Sequence, residues 1–120
     1  MELSLKEMAQ IERAKQDAAK KEEERIYNER MKRLRELRDE LMSELLEFIP
    51  NAHKAHYVRP SIFIPLKGYH TESGIGYAVF MLEDGCLEVN FHSPSCCLKE
   101  HWRKTMTRKE FAVAVLSQYV

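Results

Sequence analysis

An α+β fold is predicted for this 120-residue chain: a long amino-terminal helix with coiled-coil-like spacing, a three-stranded antiparallel β-meander and a carboxyl-terminal helix. Three observations carry the prediction. Residues 1–49 hold 24 of the 38 charged residues and no Gly, Pro, His or Cys. Residues 50–120 hold all four Gly, all four Pro, all five His and nine of the eleven aromatics. Beyond Pro60 the apolar residues change from three-and-four spacing to alternation, the mark of helix giving way to strand. Two parts are therefore expected. Residues 1–49 form a helical stalk whose amino-terminal half is solvated, and residues 50–120 form a small α+β head packed on the stalk's end.

Ser4 and Glu7 match the Ser-x-x-Glu capping box, in which each side chain satisfies a free backbone N–H of the first turn. Strong helix formers follow, and no Pro or Gly interrupts them before Pro50. Tyr27, Met31, Leu34, Arg38, Leu41, Leu45 and Phe48 alternate four and three apart, the spacing of a two-helix seam. Leu37, Met42, Leu46 and Ile49 widen that stripe near the carboxyl end, where the helix is expected to cover the head. Between Lys15 and Arg25 the only apolar residues are alanines, so no packed core is expected there. Residues 1–22 read as a solvated extension that orders against a partner.

Pro60 to Leu66 reads as a short strand, with prolines that confine it to a sheet edge. Gly68 to Gly76 reads as a loop. Tyr77–Leu82 and Cys86–His92 read as a hairpin around Asp84-Gly85. With those two residues central to the turn, Leu82 faces Leu87, Phe80 faces Val89 and Ala78 faces Phe91. These six make the core face. The opposite face pairs Met81 with Glu88, Val79 with Asn90 and Tyr77 with His92, and is expected to be partly free for binding. Ser93-Pro94 ends the strand, and residues 98–104 read as a short helical turn. Thr107 and Glu110 form a second capping box, opening a helix with Phe111, Ala112, Val115, Leu116 and Tyr119 inward.

Nineteen basic and nineteen acidic residues leave a formal charge of zero, which disfavours coating of nucleic acid or membranes by bulk attraction. No apolar run approaches the ~18 residues of a transmembrane helix. The amphipathic start, Met1 to Glu7, does not read as a secretory signal. Three cysteines, two of them adjacent, do not form a disulfide framework, so a reducing, cytoplasmic setting is expected.

Cys86, His92, Cys96, Cys97 and His101 are the Cys/His group considered for metal binding. Their gaps of five, three and four residues lack the close Cys-x-x-Cys knuckle of structural zinc sites. They read as reduced thiols beside surface histidines, and no metal or cofactor is expected. Cys96 or Cys97 with His92 or His101 as base lacks a glycine-lined oxyanion turn, so no catalytic role is assigned. The stretch from Gly68 to Gly76 is not a phosphate loop, because a strand follows it instead of a helix.

Charge is nevertheless polarised. Between Arg25 and Arg38 six bases stand against two acids, a net of plus four. Residues 99–120 hold five bases against two acids, a net of plus three. The expected function is a non-enzymatic protein–protein interaction module, a small regulator or inhibitor of a larger complex. It would bind a protein partner, or itself as a homodimer, through residues 27–48. Tyr27, Met31, Leu34, Tyr77, Val79, Met81 and His92 are the partner-binding candidates. The alternative is nucleic-acid binding by basic clusters 25–38 and 99–109, with Arg30, Arg33, Arg103, Lys104 and Arg108 on phosphates and Tyr57 and Trp102 on bases. Neither a membrane nor a small-molecule substrate is inferred.

Overall fold

The computed structural model describes residues 2–56, 59–92 and 103–120. Helix α1 spans Leu5–Leu45, and five strands follow: β1 (His53–His56), β2 (Pro60–Pro65), β3 (Gly76–Met81), β4 (Leu87–His92) and β5 (Arg103–Met106). Helix α2 spans Arg108–Ala114, and a 3₁₀ turn, Leu116–Tyr119, closes the chain. The α+β prediction holds in outline, with five strands where the sequence predicts three. The chain divides into two compact units, Met1–Lys32 and Arg33–Val120.

The first unit is helical from Leu5 onward. Ser4 Oγ accepts from the Glu7 N–H at 3.2 Å, so the predicted cap starts the helix. Every residue from Glu2 to Arg30 is exposed, and Met31 is buried. Side-chain pairs one turn apart brace the helix: Arg13 with Asp17 at 3.4 Å, Arg25 with Glu29 at 2.8 Å, and Arg25 with Glu22. Each contributes a few tenths of a kcal/mol.

The second unit is built on one sheet in which each strand pairs antiparallel with the next in sequence, β1 through β5. β2 is therefore an interior strand, not an edge. Its prolines are harmless because they occupy the first and last positions, clear of the central ladder that joins it to β1 and β3. Gly76 opens β3 with its Cα against β2: a Cβ there would lie 2.2 Å from the Ile64 carbonyl oxygen, so only glycine fits. The predicted helical turn over residues 98–104 is corrected at its described end, since Arg103 and Lys104 open β5.

The β3–β4 register differs from the predicted one by a single residue. Met81 faces Leu87, Val79 faces Val89 and Tyr77 faces Phe91. A two-residue type I′ turn would need positive φ at both Asp84 and Gly85. Gly85 has φ 87°, but no residue other than glycine has positive φ among the described residues. The chain instead makes a three-residue loop, Glu83-Asp84-Gly85. The Gly85 N–H donates to the Leu82 carbonyl and the Leu82 N–H to the Cys86 carbonyl, both at 3.1 Å. Asp84 Oδ1 accepts from the Cys86 N–H at 2.9 Å, which holds Asp84 out of the left-handed region. The slip of one residue exchanges the faces of β3, so Val79 and Met81 are core where Phe80 and Leu82 are predicted, while Leu87 and Val89 are buried on the core face as predicted.

Ile62, Ile64, Val79, Met81, Leu87, Val89 and Met106 accordingly make the buried core face. From the helices of this unit, Leu34, Leu41, Met42, Leu45, Phe111 and Val115 are also buried, with Ile49 and Ala52 at the turn after α1. The carboxyl third of α1 thus contributes apolar side chains to this core, as its widened stripe predicts. Of the predicted inward stripe on α2, Phe111 and Val115 are buried, Leu116 and Tyr119 half-buried, and Ala112 exposed.

The second predicted cap forms in full. Thr107 Oγ1 accepts from the Glu110 N–H at 3.1 Å, and Glu110 Oε1 accepts from the Thr107 N–H at 3.2 Å. Thr107→Ala should cost about 0.5–2 kcal/mol of unfolding free energy, measured by urea titration. The Thr107 N–H also holds the Glu110 carboxyl below the usual carboxylate range. A depressed folded-state value adds stability above the unfolded value, and that stability is lost as pH falls through the folded one. A Glu110→Gln chain should therefore lose less stability on acidification than the wild type.

Candidate interaction surface

Apolar side chains stand open on the first unit. Leu5, Met8, Ile11, Ile26 and Tyr27 are all exposed, Tyr27 at 57% and Ile11 and Ile26 at 45% and 46%. Alanines, charges and Gln16 fill the stretch between Ile11 and Ile26. Helix formation alone gives a solvated helix little stability, and most helices in proteins draw theirs from burying a face. Here six large apolar residues, Leu3 together with those five, stand exposed.

The predicted seam is divided by the structure. Tyr27 is exposed, whereas Met31, Leu34, Leu41 and Leu45 are already buried within the chain. Leu34, Leu41 and Leu45 serve the core of the second unit and do not offer a face to another helix. The predicted hairpin binding face is corrected more sharply. Val79 and Met81, at 0% and 3% exposure, are core residues by the register above. Tyr77 is half-buried, its ring edge-on to Phe91 with centroids 5.4 Å apart. Both rings line a shallow recess of about 340 Å³ with Ala114 and Val115. His92 is exposed, its Nδ1 3.1 Å from the Gly74 carbonyl oxygen.

The opposite sheet face holds a buried carboxylate that sequence reading places against Met81. Glu88 pairs across the ladder with Phe80 and Thr105, and its side chain is only 5% exposed. Arg59 and Arg103 both donate to it, and the Arg59 guanidinium also lies 4.8 Å from the Phe80 ring centroid. Two side-chain oxygens on this face, Ser61 Oγ and Asn90 Oδ1, are buried without a hydrogen-bond partner. The lone acid between Leu87 and Val89 is the sequence signal that could have marked this site, once the register is right.

Several members of the basic clusters are engaged with acids. Arg103 binds Glu88, Arg108 binds Glu44, and Arg25 binds Glu22 and Glu29. Arg38, with a 12%-exposed side chain, lies 3.3 Å from Asp39. Lys54 reaches Asp39 at 3.0 Å, and its hydrogen bond helps hold that carboxyl below the usual range. Arg30, Arg33 and Lys104 are exposed. Tyr57, Cys96, Cys97, Lys99, His101 and Trp102 lie outside the described residues. Among the described residues no three His, Cys, Asp or Glu side chains gather to hold a metal, and no helix is long and apolar enough to cross a membrane.

No family model, curated protein or solved structure matches this chain. The functional reading therefore rests on the surfaces themselves.

Proposed function

We propose that this chain is a non-enzymatic protein-interaction module, acting in a reducing compartment as a small regulator or inhibitor of a larger complex. Its amino-terminal helix is the docking element. The observation that carries the reading is the run from Glu2 to Arg30, helical from Leu5, with every residue exposed and large apolar side chains among them. Covering those side chains would gain about 25 cal/mol for each Å² of apolar surface removed from water. The second unit, with its own core, supplies the folded body that carries the helix.

Nucleic-acid binding is the weaker reading, because Arg25, Arg38, Arg103 and Arg108 already face carboxylates. Salt separates the two. Complexes recovered from the native host with an Ile26→Lys/Tyr27→Lys chain should lack a protein that the wild type retains in both 50 and 200 mM salt. The melt of the second unit should stay unchanged. Binding that needs nucleic acid, survives both substitutions and weakens ~10³-fold or more over that salt range would sink the interaction reading.

A further inference from the structure

We infer that the partner of the amino-terminal helix is the same helix of a second copy, running antiparallel about a twofold axis between Ala18 and Ala19. The inference rests on the reading of this helix as a docking element. Met8, Ile11, Lys15, Ala18, Glu22 and Glu29 share one stripe at three-and-four spacing, with Ala19 and Ile26 beside it. Met8, Ile11 and Ile26 are exposed on it. Continued, the stripe meets Arg33, Glu36 and Glu40, all exposed and charged, so its apolar part ends with the first unit.

In an antiparallel pair centred between residues 18 and 19, residues whose numbers add to 37 meet at one level. Ile11 then meets Ile26, Lys15 meets Glu22, and Ala18 meets Ala19, each pairing occurring twice by symmetry. Apolar meets apolar, small meets small, and Lys15 meets a Glu22 carboxylate that also holds its own Arg25. The alanines at the centre let the two axes approach to about 8 Å, the close end of helix packing. At the outermost layers Met8 meets Glu29, whose carboxylate already has its own Arg25 at 2.8 Å. Antiparallel helix dipoles also attract. Eight acids and eight bases over residues 1–32 leave the unit neutral, so two copies approach without net repulsion.

The same residues reject the neighbouring arrangements. Sliding one heptad in one direction sets Lys15 on Lys15; sliding it in the other sets Glu22 on Glu22. Half-heptad slips put Glu22 against Ile11 or Lys15 against Ile26. A parallel, in-register pair stacks both like charges at once. One register remains, and the repulsive alternatives specify it as much as the attraction does. The stripe covers about three heptads, so the association is reversible and weak.

Sedimentation equilibrium of the full chain tests this. The wild type should show a concentration-dependent monomer–dimer equilibrium. Lys15→Glu and Glu22→Lys each create two like-charge layers and should weaken it about tenfold. The combined Lys15→Glu/Glu22→Lys chain restores both layers and should return to within about threefold of wild type. Circular dichroism should show the same helix content throughout. A wild type that stays monomeric up to high micromolar concentration overturns the self-pairing. So does a dimer indifferent to the single changes, or one that the charge swap fails to restore. These failures leave the docking reading standing, because that reading fails on a different result: binding that needs nucleic acid, survives Ile26→Lys/Tyr27→Lys and weakens steeply with salt.

Discussion

Met81→Ala should destabilise the second unit by about 2–5 kcal/mol, whereas Phe80→Ala, one residue away, should cost only about 1–2 kcal/mol. Met81 is 3% exposed, opposite Leu87 on the core face, and its loss leaves a cavity beside Leu87 in that core. Phe80 is half-buried on the other face, under the Arg59 guanidinium. A domain of this size has about 5–15 kcal/mol to lose, so the first change consumes much of it. Urea melts of the two variants, compared at a shared slope, read the difference directly. The sequence-based register gives the opposite order, with Phe80 as core. If Phe80→Ala proved the more damaging, the one-residue shift described here would be wrong.

That pair of residues also shows where sequence reading stops. The second capping box, the Ser4 half of the first, the unbroken helix and the inward positions Phe111 and Val115 follow from local chemistry, and each is found in place. The hairpin is legible too, through Asp84-Gly85. Its register is not, because it depends on whether Asp84 adopts positive φ, and the Cys86 N–H decides that by donating to the Asp84 carboxylate. Strands β1 and β5 escape notice for a different reason. His-Lys-Ala-His and Arg-Lys-Thr-Met have almost no β-branched or aromatic residues, so their pairing comes from neighbours already in the sheet. β2 is misread as an edge because its two prolines are visible in sequence, whereas the four-residue partner that covers it is not. The surface suffers the same limit. Leu34, Leu41 and Leu45 have the spacing of a helical seam, and spacing alone does not distinguish a partner's helix from the chain's own core.

Removing both arginines from the buried carboxylate should cost more than removing the carboxylate. Glu88 is 5% exposed at its side chain, while Arg59 and Arg103 are 35% and 70% exposed. Glu88→Leu therefore leaves two guanidinium groups that water can still reach, and puts an apolar side chain of similar size in a buried place. Arg59→Met/Arg103→Met instead leaves a carboxylate beneath Phe80 and Thr105 with neither charge partner nor water. Breaking a buried ion pair in that direction costs about 3–5 kcal/mol. The lost contact between Arg59 and the Phe80 ring adds about 0.5–1 kcal/mol. The triple variant Arg59→Met/Arg103→Met/Glu88→Leu removes the buried charge itself and should recover most of the loss, since apolar replacements of buried ion networks are often neutral or better. Thermal and urea melts of the three variants decide the matter. The expected order of stability places the double arginine variant lowest and the triple variant close to wild type. A triple variant no more stable than the double would mean that Arg59 and Arg103 stabilise the sheet by packing their stems, with Glu88 a bystander.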